Sequence, residues 1–194
     1  MKRKRSRLAA HIWTAVAAVL LCTGTYLSSR LAGGEILLFD CIVASASLAG
    51  IALVTVRMPG IVWIPVMGFA CFTQYFGIML NFYDRYRWYD LVMHGTSGVL
   101  LVLVGFYVYQ LLTRRQGNGY PAYALPVVFS TLFSIAGAAV WEIYEFAVDS
   151  LLGLDTQLGS LYDTMTDIIA GSAGAAVGAL VLFGILIGKR RLPR

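Results

Sequence analysis

The sequence predicts an all-α polytopic membrane protein, a bundle of six transmembrane helices with both termini cytoplasmic. Three observations carry that prediction. Of 194 residues, 59% are hydrophobic and only 13% charged, which is too apolar for a water-soluble globule. The apolar residues run in windows of about twenty, the length a helix needs at 1.5 Å per residue to cross a ~30 Å hydrocarbon core. Lys and Arg collect at the ends of these windows, most of them on one side.

The expected spans are 8–29, 34–56, 60–80, 89–112, 123–147 and 163–188, in a single integral membrane domain covering 1–194. The first begins with MKRKRSR and continues apolar. A signal peptide also starts this way, but a run of about twenty exceeds the roughly 7–15 residues of a signal h-region, so a spanning helix fits better. Breakers separate the spans: RLAGGE after the first, RMPG after the second and RRQGNGYPAY after the fourth. The stretch FTQYFGIMLNFYDRYRWYD has the composition of an aromatic interface belt. The last span, AGSAGAAVGALVLFG, carries Gly171, Gly174 and Gly178, which suit close helix packing and predict a central position that buries Asp167.

Short cytoplasmic segments are enriched in Lys and Arg. Twelve of the 15 lie at the N-terminus (Lys2, Arg3, Lys4, Arg5, Arg7), at Arg57, at Arg114 and Arg115, and at the C-terminus (Lys189, Arg190, Arg191, Arg194); Arg30, Arg85 and Arg87 make up the other face. Both termini are therefore expected in the cytoplasm. The 10 acidic residues all fall on or near the opposite side, a segregation that the rule for Lys and Arg does not itself produce. The net charge of +5 reads as topology signals and contact with anionic headgroups, with membrane lipids as partners and no nucleic acid. Cys22, Cys41 and Cys71 lie inside apolar runs without a CxxC pair, as packing residues do.

Function should reside where carboxylates enter apolar helix, because an ionisable side chain at the centre of a span costs ~2.5–3.5 kcal/mol on insertion scales. Trp141–Asp167 holds six of them. On the fourth span Asp90 and His94 are i and i+4; on the fifth Glu142, Glu145 and Asp149 are i, i+3 and i+7; on the sixth Asp163 and Asp167 are i and i+4, so each set shares a face. Spans four and six both read D-x3-[HD]-x3-G, ending at Gly98 and Gly171.

Carboxylates with one imidazole suit a divalent metal, Mg, Mn, Fe or Zn, and the expected ligands are Asp90, His94, Glu142, Glu145, Asp163 and Asp167. Inward-facing Glu and His on neighbouring helices resemble the arrangement of dinuclear carboxylate sites, although their ExxH spacing is absent. Paired carboxylates also suit acid–base catalysis, for which Glu142, Glu145 and Asp167 are the candidates, and intramembrane acids serve as proton or cation relays. Plainer readings stand beside these. Ser160-x-x-Asp163 is a capping box and Asp90 lies in a first helical turn, where a carboxylate favours the dipole. Asp84, Asp149 and Asp155 read as solvated loop residues, with Asp149 and Asp155 lining the entrance to the site. Glu35 reads as interfacial, Asp40 as a further candidate for the cluster, and His11 as an interfacial residue.

The set YDLVMHGTSG, WEIYEFAVD and YDTMTDIIAGSAGA resembles the YjdF-like family of uncharacterised bacterial inner-membrane proteins, over roughly Tyr83 to Gly178. The order of these motifs is more distantly similar to VanZ-like proteins, which are associated with glycopeptide resistance at the cell envelope. Here a second Glu follows on the fifth span, and Asp167 stands where VanZ-like proteins more often carry Asn. The resemblance implies a multi-pass protein of the bacterial inner membrane with its polar set near the outer leaflet, and no established reaction. Three functions remain in view: a metal-dependent enzyme acting on a lipid or lipid-linked envelope substrate, a small ion- or proton-coupled transporter, and a non-catalytic envelope or assembly protein.

Overall fold

The computed structural model describes residues 2–113, 123–153, 156, 157 and 160–191, with side chains from Leu8 to Gly188 within those ranges. Arg114, Arg115, Asp155 and Arg194 lie outside the described residues, as do the side chains of the other terminal Lys and Arg on which the orientation rests. Every regular element described is helical: α1 (Lys2–Leu31), α2 (Leu38–Val54), α3 (Gly60–Ala70), α4 (Phe82–Arg85), α5 (Tyr89–Thr113), α6 (Ala124–Leu152) and α7 (Leu161–Arg191). A π-helical stretch, Cys71–Met79, continues α3.

Five stretches are long and apolar enough to cross a membrane: Leu8–Leu31, Gly60–Met79, Tyr89–Thr113, Ala124–Leu152 and Leu161–Gly188. They match five of the expected spans. Where 34–56 is expected, α2 has 17 residues, about 25 Å at the α-helical rise and short of a ~30 Å core. Local chemistry trims it at both ends. The glycines of RLAGGE stop α1 in a Schellman motif: Gly33 has φ 72°, its N–H reaches Arg30 O at 3.3 Å, and Gly34 N–H reaches Ser29 O at 2.7 Å. At the other end the Thr55 hydroxyl, itself buried, turns back onto the Ile51 carbonyl, and Pro59 precedes the next helix.

The chain forms two compact units, Met1–Tyr89 and Asp90–Arg194. In the first, Cys22, Cys41, Ala44, Leu48 and Met79 form the core. Cys71 is exposed, against the expectation that all three cysteines pack inside. His11 is buried rather than interfacial: its Nδ1 lies 2.7 Å from the Ala52 carbonyl, and its ring packs edge-on to Trp63 at 4.6 Å. The wider π turn leaves backbone carbonyls open to other donors, and the Tyr89 hydroxyl takes one, donating to Phe72 O at 2.6 Å.

The second unit contains α5, α6 and α7. The described buried positions of α6 are Pro126, Ser130, Ser134, Ala138 and Glu142. They are four apart and so lie on one stripe. All but the last are small or compact, which lets neighbouring backbones approach closely. On α5 and α7 the approach is closer still. A Cβ on Gly98 would lie 2.9 Å from Ala175 N, and one on Gly174 would lie 2.9 Å from the Gly95 carbonyl carbon and 3.2 Å from Val99 N. Gly178 meets Val102 in the same seam, and since the paired numbers rise together, the two helices run parallel. Ser134 adds a hydrogen bond from α6, donating to Gly98 O at 2.7 Å.

Gly174→Val should therefore do more harm than ordinary overpacking, which costs ~1–3 kcal/mol, because the obstacle is backbone that cannot rotate away. A fall in thermal midpoint of ~2–4 °C per kcal/mol is expected in detergent. At Gly184 a Cβ meets nothing within 4 Å, so Gly184→Ala should melt with the wild type.

Candidate functional site

The parallel seam places the start of α5 beside the start of α7, and the antiparallel α6 brings its C-terminal third to the same end of the unit. Asp90 and His94 stand in the first two turns of α5, Asp163 and Asp167 in the first two of α7, and Glu142 ends the buried stripe of α6. His94, Glu142 and Asp167 are 7%, 4% and 3% exposed, whereas Asp90, Glu145 and Asp163 are half-buried.

The imidazole of His94 is the hub. Its Nε2 lies 3.4 Å from Asp90 Oδ1 and 4.0 Å from Asp167 Oδ2; its Nδ1 lies 3.8 Å from Glu142 Oε1. Two groups, Asp90–His94–Asp167 and His94–Glu142–Glu145, each bring ligand atoms within 4.8 Å of one another and could hold a metal ion. Five of the six expected ligands thus converge, and the fourth and sixth expected spans meet through His94 and Asp167. Asp163 belongs to neither group. Its N–H donates to Ser160 Oγ at 3.4 Å, the capping half of the two readings the sequence allows.

Satisfaction of the carboxylates is uneven. Glu145 Oε1 accepts from Trp141 Nε1 at 2.9 Å on the same helix. Glu142 Oε2 accepts from Gln157 Nε2 at 3.4 Å, but among the described residues Glu142 Oε1 has no hydrogen-bond partner although it is buried. A buried acceptor left in this state costs ~1–3 kcal/mol, and more when charged. Four carboxyl groups surround one imidazole here, in a setting where every ionised group is costly.

Asp149 is tied down, contrary to its reading as a solvated loop acid. It accepts from Thr156 N at 2.8 Å, Thr156 Oγ1 at 2.7 Å and Gln157 N at 2.9 Å. Gln157 and Trp141 were not legible as partners. Trp141 stands four before Glu145, a spacing that signals contact, but an aromatic near a helix end reads first as a belt residue. Gln157 sits in a connection with no periodicity, and nothing local marks it. Asp40 and Glu35 belong to the first unit, and neither metal-capable group contains them.

The model of the family described as predicted membrane protein (DUF2238) matches residues 7–188. The chain belongs to this family. No curated protein and no solved structure matches the chain. The DUF2238 match runs through both units and includes all six candidate ligands. It makes the chain a membrane protein of an uncharacterised family, in agreement with the five apolar helices.

If surplus carboxylate charge is the dominant strain, Asp167→Asn should raise the unfolding midpoint of chelator-treated protein, by ~2–4 °C for each kcal/mol of repulsion relieved. Differential scanning fluorimetry in detergent reads this directly. A lower midpoint would mean that Asp167 serves His94 as a structural ion-pair partner.

Proposed function

We propose that the chain is a divalent-metal-dependent membrane enzyme acting on a lipid or lipid-linked substrate, with the ion held by His94 Nδ1, Glu142 and Glu145. The observation that carries this reading is the buried Glu142 Oε1, which lacks a hydrogen-bond partner among the described residues and faces His94 Nδ1 at 3.8 Å. That separation is too long for a hydrogen bond. It suits two ligands of one ion, because bonds of ~2.0–2.3 Å on a tetrahedral edge place donor atoms roughly 3.3–3.8 Å apart.

The two metal-capable groups share His94, and a neutral imidazole has one lone pair to give. Coordination through Nδ1 leaves Nε2–H to donate towards Asp90 and Asp167, which lie on that side of the ring. A carboxylate behind a ligating histidine fixes its tautomer and raises its basicity. The donor set is oxygen-rich with a single nitrogen, which favours Mg, Mn, Fe or Zn over soft ions.

A divalent ion held by His94, Glu142 and Glu145 would supply Lewis-acid polarisation to an ester or phosphoryl group. Glu145 is the half-buried member of the set, and the same end of α6 exposes the apolar side chains of Trp141, Ile143, Tyr144 and Phe146. A substrate that reaches Glu145 across that apolar surface is an amphiphile from the bilayer. Glu142 and Asp167 stay buried, Glu142 as ligand and Asp167 on the Nε2 side of the imidazole.

The same reading includes the topology. The excess of Lys and Arg at both ends supports cytoplasmic termini, and α2 completes a sixth crossing if the bilayer thins locally, at fractions of a kcal/mol per Å of mismatch. The YjdF-like motif order supports a bacterial inner-membrane setting, with the cluster towards the outer leaflet. Impermeant thiol labelling of single cysteines introduced near each terminus should fail in intact cells and succeed after lysis. Labelling of intact cells would reverse the orientation.

Elemental analysis of detergent-purified protein should find a single divalent ion per chain in the wild type. Glu142→Ala and His94→Ala should lose it, while Asp163→Asn should keep it. An ion-free wild type, or unchanged content in Glu142→Ala, would sink the metal reading.

A further inference from the structure

We infer that Gln157 is the positioning residue of this metal centre: its side-chain amide holds one oxygen of Glu142, leaving the other for the ion, and the Asp149 carboxylate holds Gln157 in place. The inference deepens the metal reading and rests on it.

The connection between α6 and α7 is fastened from two directions. From below, Asp149 accepts the backbone N–H groups of Thr156 and Gln157 and the Thr156 hydroxyl, and Thr156 Oγ1 also lies 3.4 Å from Glu145 O. Asp149 lies in the last turn of α6, which Gly153 closes at φ 67° with its N–H on Asp149 O at 3.0 Å. The backbone of residues 156 and 157 is thereby registered against the end of the helix that carries Glu142 and Glu145.

From within, the Gln157 amide nitrogen points at three acceptors: Thr164 Oγ1 at 3.0 Å, Glu142 O at 3.2 Å and Glu142 Oε2 at 3.4 Å. The orientation of the amide follows from these partners. A backbone carbonyl and a carboxylate oxygen can only accept, so the NH2 end, and not the oxygen, must face them. An NH2 has two hydrogens for three acceptors, and Thr164 belongs to α7, so Gln157 spans the two helices that carry Glu142 and Asp167. Oε2 is held while Oε1, without a hydrogen-bond partner among the described residues and facing His94 Nδ1, has its direction set by the rigid carboxylate plane. Outer partners of this kind typically change metal affinity by 10–100-fold when lost.

Gln157→Met tests the donor role, because Met keeps the length and approximate volume of the side chain but presents no N–H. Co2+ serves as the probe, titrated into the full chain in detergent and followed by its visible absorption. The variant should bind Co2+ about 10–100-fold more weakly than wild type, with shifted absorption bands. A merely structural loop residue would leave the bands alone. Wild-type affinity and spectrum in Gln157→Met would overturn the positioning role while the metal reading stood. Failure of the wild type to take up Co2+ would overturn both. Should Gln157→Met not fold, Thr164→Val removes the distal anchor of the amide, and a smaller loss of affinity in the same direction is expected; an unchanged affinity there also overturns the inference.

Discussion

Backbone-to-backbone contact between α5 and α7 is the constraint on which the second unit depends. At Gly98 and Gly174 the opposing helix presents peptide atoms within 3 Å of where a Cβ would stand, so only glycine admits the approach. In a membrane there is no hydrophobic force to press helices together, and association rests on van der Waals packing and interhelical hydrogen bonds. The glycine seam supplies the first and Ser134 on Gly98 O the second. His94 and Gly95 are adjacent, and Asp167 lies one turn before Gly171, so the seam that holds the helices also fixes how far the imidazole stands from the carboxylate. Packing and site geometry are here one fact.

That coupling explains why so much of the site was legible in the sequence. Asp90 and His94, Glu142 and Glu145, and Asp163 and Asp167 are spaced by three or four in runs that read as helix, and such spacing places each pair on a face. The faces turn towards one another because the same helices carry glycine and small residues one turn further in. The repeated D-x3-[HD]-x3-G pattern is realised in this seam: Gly98 and Gly171, its two closing glycines, abut directly. Ser160 caps the Asp163 N–H as the S-x-x-D spacing suggests, and a carboxylate in a first turn serves the helix end as readily as a ligand set.

What was illegible lies outside helical periodicity. Asp149 looked like a solvated acid, and only the return of the chain at Thr156 and Gln157 gives it three donors. The length of α2 was overread because hydropathy averages through Ile36, Leu37 and Val56, whereas the helix stops where glycine, threonine and proline redirect the backbone. Burial of His11 was missed for a related reason: the acceptor that holds it, the Ala52 carbonyl, belongs to a different helix. A backbone acceptor leaves no mark on a sequence.

The arrangement is larger than a single buried ion pair. A histidine needed only to satisfy one buried acid would be matched by one carboxylate. This one is faced by three, from three helices, and Glu145 lies beside them. Asp90 and Glu145 are partly exposed while His94, Glu142 and Asp167 are buried, so the group is not sealed from its surroundings.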